Sequence, residues 1–384
     1  MSGTAILVGT TKGAFVLRHD GKDWRASGPH CGGAPINHVI GDPDTGTIWA
    51  AGGGDWHGAG IWTSTDGGET WAHAKLTKGQ MDDWAANDPD FAAMIGWTDA
   101  PLPFGEEFSQ VWSLGYAHGK VYAGTKPARL LESIDNGATW SKIEGLNNHP
   151  SSDSWHGGAA GLTLHTILTH PTDKGKVWVG ISAAGVFATE DGGDTWDRRN
   201  RLSNAEACAH HDHPAAPRDG DTGHCVHNIV RATADGDLLY QQNHHGVYRS
   251  RDGGRNWDDI TEGLPSTFGF PIAVDPVAPD RIWTIPLNGD SAGRFPPDAA
   301  AAVWRSEDAG VTWTATRDGL PQQDCFFTVL RQAMAVGAEP GKPTGVYFGT
   351  NSGSVFGSTD HGANWTEVAK HLPTVLSVET LVTA

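Results

Sequence analysis

Cysteine is scarce in this chain, with 4 in 384 residues. Cys31, Cys208, Cys225 and Cys325 are too few and too scattered for a disulfide scaffold. Basic residues are also few: 27 Lys and Arg stand against 45 Asp and Glu, for a net charge of −18. That balance excludes nucleic acid and anionic membrane as partners, since both need clustered cations. No apolar run approaches the ~20 residues of a membrane span. The opening Met1-Ser-Gly-Thr-Ala-Ile-Leu-Val lacks the basic start and apolar stretch of a signal peptide. Together these absences predict a cytoplasmic protein with reduced thiols.

Tryptophan, by contrast, is abundant, and much of it sits in one recurring phrase. Six copies read Ser64-Thr-Asp-Gly-Gly-Glu-Thr-Trp71, Ser133-Ile-Asp-Asn-Gly-Ala-Thr-Trp140, Thr189-Glu-Asp-Gly-Gly-Asp-Thr-Trp196, Ser250-Arg-Asp-Gly-Gly-Arg-Asn-Trp257, Ser306-Glu-Asp-Ala-Gly-Val-Thr-Trp313 and Ser358-Thr-Asp-His-Gly-Ala-Asn-Trp365. A worn seventh copy is Leu17-Arg-His-Asp-Gly-Lys-Asp-Trp24. A period of this size means a repeat architecture. Short β-rich runs precede each copy, such as Gly185-Val-Phe-Ala and Gly246-Val-Tyr-Arg. The Asp-x-Gly centre is turn chemistry: Asp bonds the turn backbone and Gly permits positive φ. Each copy is therefore expected to be a hairpin turn.

A second signature counts the units. Ile6-Leu-Val-Gly, Ile48-Trp-Ala-Ala, Val121-Tyr-Ala-Gly, Val177-Trp-Val-Gly, Leu238-Leu-Tyr, Ile282-Trp-Thr and Val346-Tyr-Phe-Gly make seven. First strands are read at Asn37-His-Val-Ile, Val111-Trp-Ser-Leu, Leu164-His-Thr-Ile-Leu, Val226-His-Asn-Ile-Val, Phe268-Gly-Phe-Pro-Ile and Phe326-Phe-Thr-Val-Leu. Only six lie inside the chain. The seventh must come from the C-terminus, Val375-Leu-Ser-Val-Glu-Thr-Leu-Val, which removes a free sheet edge.

The repeated phrase is similar to the Asp-box, or BNR repeat, of sialidase-like and glycosyl-hydrolase-like β-propellers, mostly bacterial. The resemblance covers nearly the whole chain. It implies that each phrase joins the third and fourth strands of a blade. With the blade count, the expected fold is all-β: one seven-bladed β-propeller over residues 1–384. Its blades are four-stranded and antiparallel, with blade one built from about 1–28 plus 374–384. The resemblance does not carry a function. Asp-boxes also occur in xyloglucan-cleaving hydrolases, sortilin-like receptors and a photosystem II assembly factor family. The arginine triad of true sialidases has no match here, and Arg231, Arg249, Arg294 and Arg331 are the plausible inner-face arginines. All 5 tyrosines read as blade residues. A true sialidase is not implied.

Loop lengths point to a functional face. In a propeller the loops before the first strand and after the second emerge together. All the long excursions belong to that set: 77–108, 144–160, 198–224, 287–300 and, more modestly, 53–59. Mere tolerance of insertions would scatter them over both faces. The same face receives a polar, histidine-rich set, the expected lining of a central funnel. His165 and His227 occupy matching positions; His38 lies at that level or one residue out of register. His57, Lys126, Asn243, His244 and Arg294 join them, and Phe270 and Phe327 take the histidine position in blades six and seven. Carboxylates near the rim are Glu106, Glu107, Asp153, Asp290, Asp324 and Glu379.

Two donor sets suit a divalent metal such as zinc. One is His165, His227 and His244. The other lies in the loop 205–227 and uses Cys208, His211, His213 and Cys225, without any standard metal spacing. Without metal, neutral histidine is a natural acid or base near neutral pH. Two functions remain open. One is a hydrolase or lyase acting on a small polar or sugar-like molecule, with His165, His227 and His244 as catalytic groups. The other is a scaffold gripping a protein partner with the rim loops.

Overall fold

The runs of Val, Ile, Trp and Tyr pair as strands, and the repeated phrases turn one strand into the next. A computed structural model describes residues 3–203, 220–233 and 235–383. Seven antiparallel sheets of four strands form a seven-bladed β-propeller. Blade four shows the plan with Leu164–Thr169, Val177–Ile181, Gly185–Thr189 and Asp197–Arg198 in order from the axis outward. Blade one closes the ring as the sequence predicts. Val375–Thr383 pairs along Gly3–Thr10, with Thr383 opposite Gly3 and Val378 opposite Val8. Among the described residues, no helix is long and apolar enough to cross a membrane.

The repeat turns show why Asp, Gly and Thr recur. Asp191 Oδ1 accepts from Thr189 Oγ1 at 2.7 Å and from the Thr195 amide at 3.0 Å. Its Oδ2 accepts from Thr195 Oγ1 at 2.5 Å. Gly193 donates its amide to Thr189 Oγ1 at 3.0 Å, from a φ of 109° that a side chain would strain. Bonds from Thr195, side chain and backbone, hold the Asp191 carboxyl well below its ordinary value. The same bonds from Thr139 bring Asp135 down to about 2.

These turns also bind blade to blade. Second-strand tryptophans donate their indole N–H groups to the next blade's turn. Trp49 reaches the Asn136 carbonyl at 3.1 Å, Trp178 the Gly253 carbonyl at 2.8 Å and Trp283 the His361 carbonyl at 3.1 Å. All three indoles are buried, so each bond removes a polar group that burial would otherwise penalise. Small residues let neighbouring sheets meet: a Cβ on Gly124 would sit 2.4 Å from Leu164 Cδ2 of the next blade.

Blade seven departs from expectation. Its inner strand is Met334–Gly337, not Phe326–Leu330. The run Phe326-Phe-Thr-Val-Leu is β-rich locally, but other partners take its backbone. Thr328 donates its amide to Asn351 Oδ1 at 2.8 Å and accepts from the Asn351 amide at 2.9 Å. Phe327 turns into the blade core beside Phe348 and Phe356. The long excursions 77–108, 144–160 and 287–300 emerge together, on the face opposite the repeat turns.

Candidate functional site

Six inner strands carry an extra residue at one level. In blade two, Ile36 faces Gly52 and His38 faces Ala51, which leaves Asn37 unpaired. The same slip frees Trp112, His165, His227 and Leu376. In blade six it falls between Gly269 and Ile272, at Phe270. Bulges re-aim side chains and recur next to functional sites. His165 and His227 are therefore equivalent, as their shared sequence context predicts. His38 is one residue beyond that level. In blade seven the level belongs to Gln332, two residues before Met334, and not to Phe327.

The axis is not an open funnel lined by histidines. Gln332 Nε2 crosses it from blade seven to donate to the His165 carbonyl of blade four. Thr166 Oγ1 donates to Asn228 Oδ1 at 2.8 Å, and Asn228 Nδ2 to the Arg331 carbonyl at 2.8 Å. This polar layer lies between two axial cavities. One, on the long-loop face, measures ≈ 220 Å³ and meets Asn37, Trp112, Ala160, Leu330, Arg331 and Leu376. The other, on the repeat-turn face, measures ≈ 340 Å³ and contains His38 and Glu379. His165 and His227 line neither, because each bulge directs its ring toward the neighbouring blade instead.

That redirection builds a compact site between blades five and six. His227 is buried, and its Nδ1 lies 2.6 Å from the Gly269 carbonyl of blade six. A carbonyl can only accept, so Nδ1 carries the proton and the neutral ring presents a bare Nε2. Cys225 Sγ is 3.8 Å from that Nε2. The His244 ring stands 5.3 Å from the His227 ring, centre to centre. The turn holding it is pinned by a 3.0 Å bond from the His244 amide to the Cys225 carbonyl. One ligand atom each from Cys225, His227 and His244 lie within 4.8 Å of one another. Burial pushes the Cys225 thiol up, against the pull of Arg331. Burial, reinforced by Arg331, drives His227 well below its ordinary value. Without a metal Cys225 and His227 thus face each other as a neutral thiol and a neutral imidazole, and not as a thiolate–imidazolium pair.

Aromatic rings and two arginines flank the cluster. The His227 ring lies 4.7 Å from Phe270 and 5.3 Å from Phe268. Arg331 and Arg294 sit over Phe270 at 5.0 and 5.8 Å, a cation–π geometry. Arg294 is ion-paired with Asp290. Arg331 has no ion pair among the described residues, and its buried Nε has no hydrogen-bond partner. The sequence marked Arg331 only as an inner-face arginine. Its position beside Cys225 depends on the irregular course of blade seven, which no local pattern announces.

The remaining expected residues are dispersed. His165 lies in the layer crossing the axis, with Nδ1 2.9 Å from Thr166 Oγ1, and is not part of the metal-competent cluster. Asn243 is fully buried, and it braces the loop by donating to the Gly223 carbonyl and to Gln241 Oε1. Lys126 lies 5.5 Å over the Trp112 ring. His57 is out near the outer strand of blade two, and its lowered pKa comes from burial and then Lys75. Glu107 pairs with Lys142 and Glu379 faces His38. Of the alternative metal set, Cys208, His211 and His213 lie outside the described residues.

No protein-family model matches this chain. Over 218 residues it is 23% identical to an oligoxyloglucan-reducing end-specific xyloglucanase of Emericella nidulans, covering 50% of this chain and 25% of that protein. Over 237 residues it is 26% identical to a xyloglucanase of a Paenibacillus species, covering 54% of this chain and 20% of that protein. The chain thus spans a quarter or less of the curated relatives it matches. Among solved structures, an ancestral GH74 enzyme superposes with a TM-score of 0.57 at 15% identity, over 87% of this chain and 38% of that one. At that identity the likeness concerns the fold.

Proposed function

We propose that this propeller is a hydrolase that acts on a small polar, sugar-like molecule at a metal ion held by Cys225, His227 and His244. One observation carries the reading. The bare Nε2 of His227 faces Cys225 Sγ, and its other nitrogen is fixed by the Gly269 carbonyl. Metal-ligating histidines are oriented in this way by their second nitrogen. Three protein ligands with N and S donors leave a fourth position open, the arrangement of catalytic zinc. An ion held by these residues would supply Lewis-acid chemistry and activate water as a nucleophile. Arg331, short of partners, stabilises oxyanion charge that develops on the substrate. Phe268 and Phe270 supply an apolar wall beside it. The stretches shared with two xyloglucanases support a sugar-like substrate.

The test compares purified wild-type protein with His227→Ala, Cys225→Ser and His165→Ala. Each is assayed for bound metal and for turnover of aryl glycosides and sugar esters. Wild type and His165→Ala should hold one equivalent of metal, and the other two should lose both metal and turnover. Undiminished turnover in a metal-free protein would sink the proposal.

A further inference from the structure

The cavity on the repeat-turn face has no part in the site just described. At ≈ 340 Å³ it is large enough for a monosaccharide-sized ligand. Its floor is the polar layer of Thr166, Asn228 and Gln332. Its walls carry one cation and one carboxylate that do not pair with each other. Arg231 donates from Nε to the Thr169 carbonyl and from Nη1 to the Ala232 carbonyl, both at 2.8 Å. Those bonds fix the guanidinium plane, and among the described residues Nη2 has no hydrogen-bond partner. No ion pair to Arg231 exists among the described residues, and burial is the one influence lowering its pKa, to about 10. Glu379, facing it within the same cavity, has His38 as its neighbour, with Nε2 to Oε1 at 3.4 Å. The Leu114 amide donates to His38 Nδ1 at 2.9 Å, so Nε2 bears the proton and points at the carboxylate. Among the described residues Oε2 accepts no hydrogen bond.

We infer that this cavity binds a polyhydroxylated acid of monosaccharide size. The ligand's carboxylate accepts a charge-assisted hydrogen bond from Arg231 Nη2. Its hydroxyls donate to Glu379 and exchange hydrogen bonds with Asn228 and Gln332. A simple anion would be repelled by Glu379, and a neutral sugar would leave Arg231 unanswered. The pairing of the two groups therefore selects a molecule carrying both functions.

Isothermal titration with three probes tests this: glucuronate, glucose and acetate. Glucuronate should bind one to one, and glucose and acetate on the order of 10-fold or more weaker, since each lacks one charge-assisted set of bonds. Arg231→Gln should cut glucuronate affinity by a similar factor. Because Arg231 also braces two carbonyls, Glu379→Gln serves as a second variant. It should weaken glucuronate and improve acetate. His227→Ala, on the opposite face, should bind glucuronate as wild type does. Hence failure of the metal site and failure of this cavity give different results. Equal binding of acetate and glucuronate, or glucuronate binding unchanged in both cavity variants, overturns the inference, as does the absence of any glucuronate binding.

Discussion

Replacing Asp191 by Ala should cost stability and leave the site between blades five and six untouched. The carboxylate accepts three hydrogen bonds, from Thr189 Oγ1, the Thr195 amide and Thr195 Oγ1. Net values of roughly 0.5–1.5 kcal/mol per bond, set toward the low end because the turn is exposed, give about 2 kcal/mol. Unfolding entropy near 2.1 cal/mol/K per residue, over 384 residues, gives roughly 0.8 kcal/mol/K, so Tm should fall about 2–3 °C. Asp191→Asn keeps one acceptor and loses the charge, and should fall about half as far. The pH dependence provides the sharper check. The folded carboxyl lies below its unfolded value. Its contribution is therefore complete above the unfolded pKa of about 3.9 and fades as pH falls toward the folded one. The gap between wild type and Asp191→Asn, followed by chemical denaturation, should be constant from neutral pH to about 5 and then narrow. A gap that stays constant down to pH ~2, or a loss of bound metal in either variant, would refute the reasoning.

Other outcomes follow from the same contacts. Trp178→Phe removes the buried bond to the Gly253 carbonyl, which keeps a 2.7 Å bond from Arg199 Nη1; denaturant titration should show a loss of about 2 kcal/mol. Gln332→Ala takes away the link across the axis to the His165 carbonyl. It should cost about 1–2 kcal/mol in the same assay, with metal content unchanged. Unfolding should take up protons between pH about 4 and about 2, where Asp135 and Asp360 stay ionised in the fold but protonate in the unfolded chain. Potentiometric difference titration reads it directly.

The blade count, ring closure and loop faces were legible because they rest on local chemistry. Asp191, Gly193 and Thr195 specify a turn wherever they occur together, and Val-Trp-Val-Gly specifies a packed strand. The equivalence of His165 and His227 was legible for the same reason. What stayed hidden was the consequence of the bulges. One extra residue in the inner strands of blades five and two turned His227 toward blade six and moved His38 to the cavity on the other face. That rotation separated His165 from His227 and gave His227 a cysteine partner two residues earlier. Blade seven was misread because Phe326-Phe-Thr-Val-Leu has strand propensity without strand partners. Asn351 captures Thr328, and Phe327 fills the core, so Gln332 and Arg331 arrive at the axis from a segment with no repeating signature.

The most direct measurement is anomalous diffraction at the zinc edge from crystals of zinc-loaded protein. The account predicts one strong peak between blades five and six, about 2.3 Å from Cys225 Sγ and about 2.0 Å from His227 Nε2 and a His244 nitrogen, with a solvent ligand completing the tetrahedron. A peak elsewhere with these three residues unliganded, or no peak at all, would contradict it.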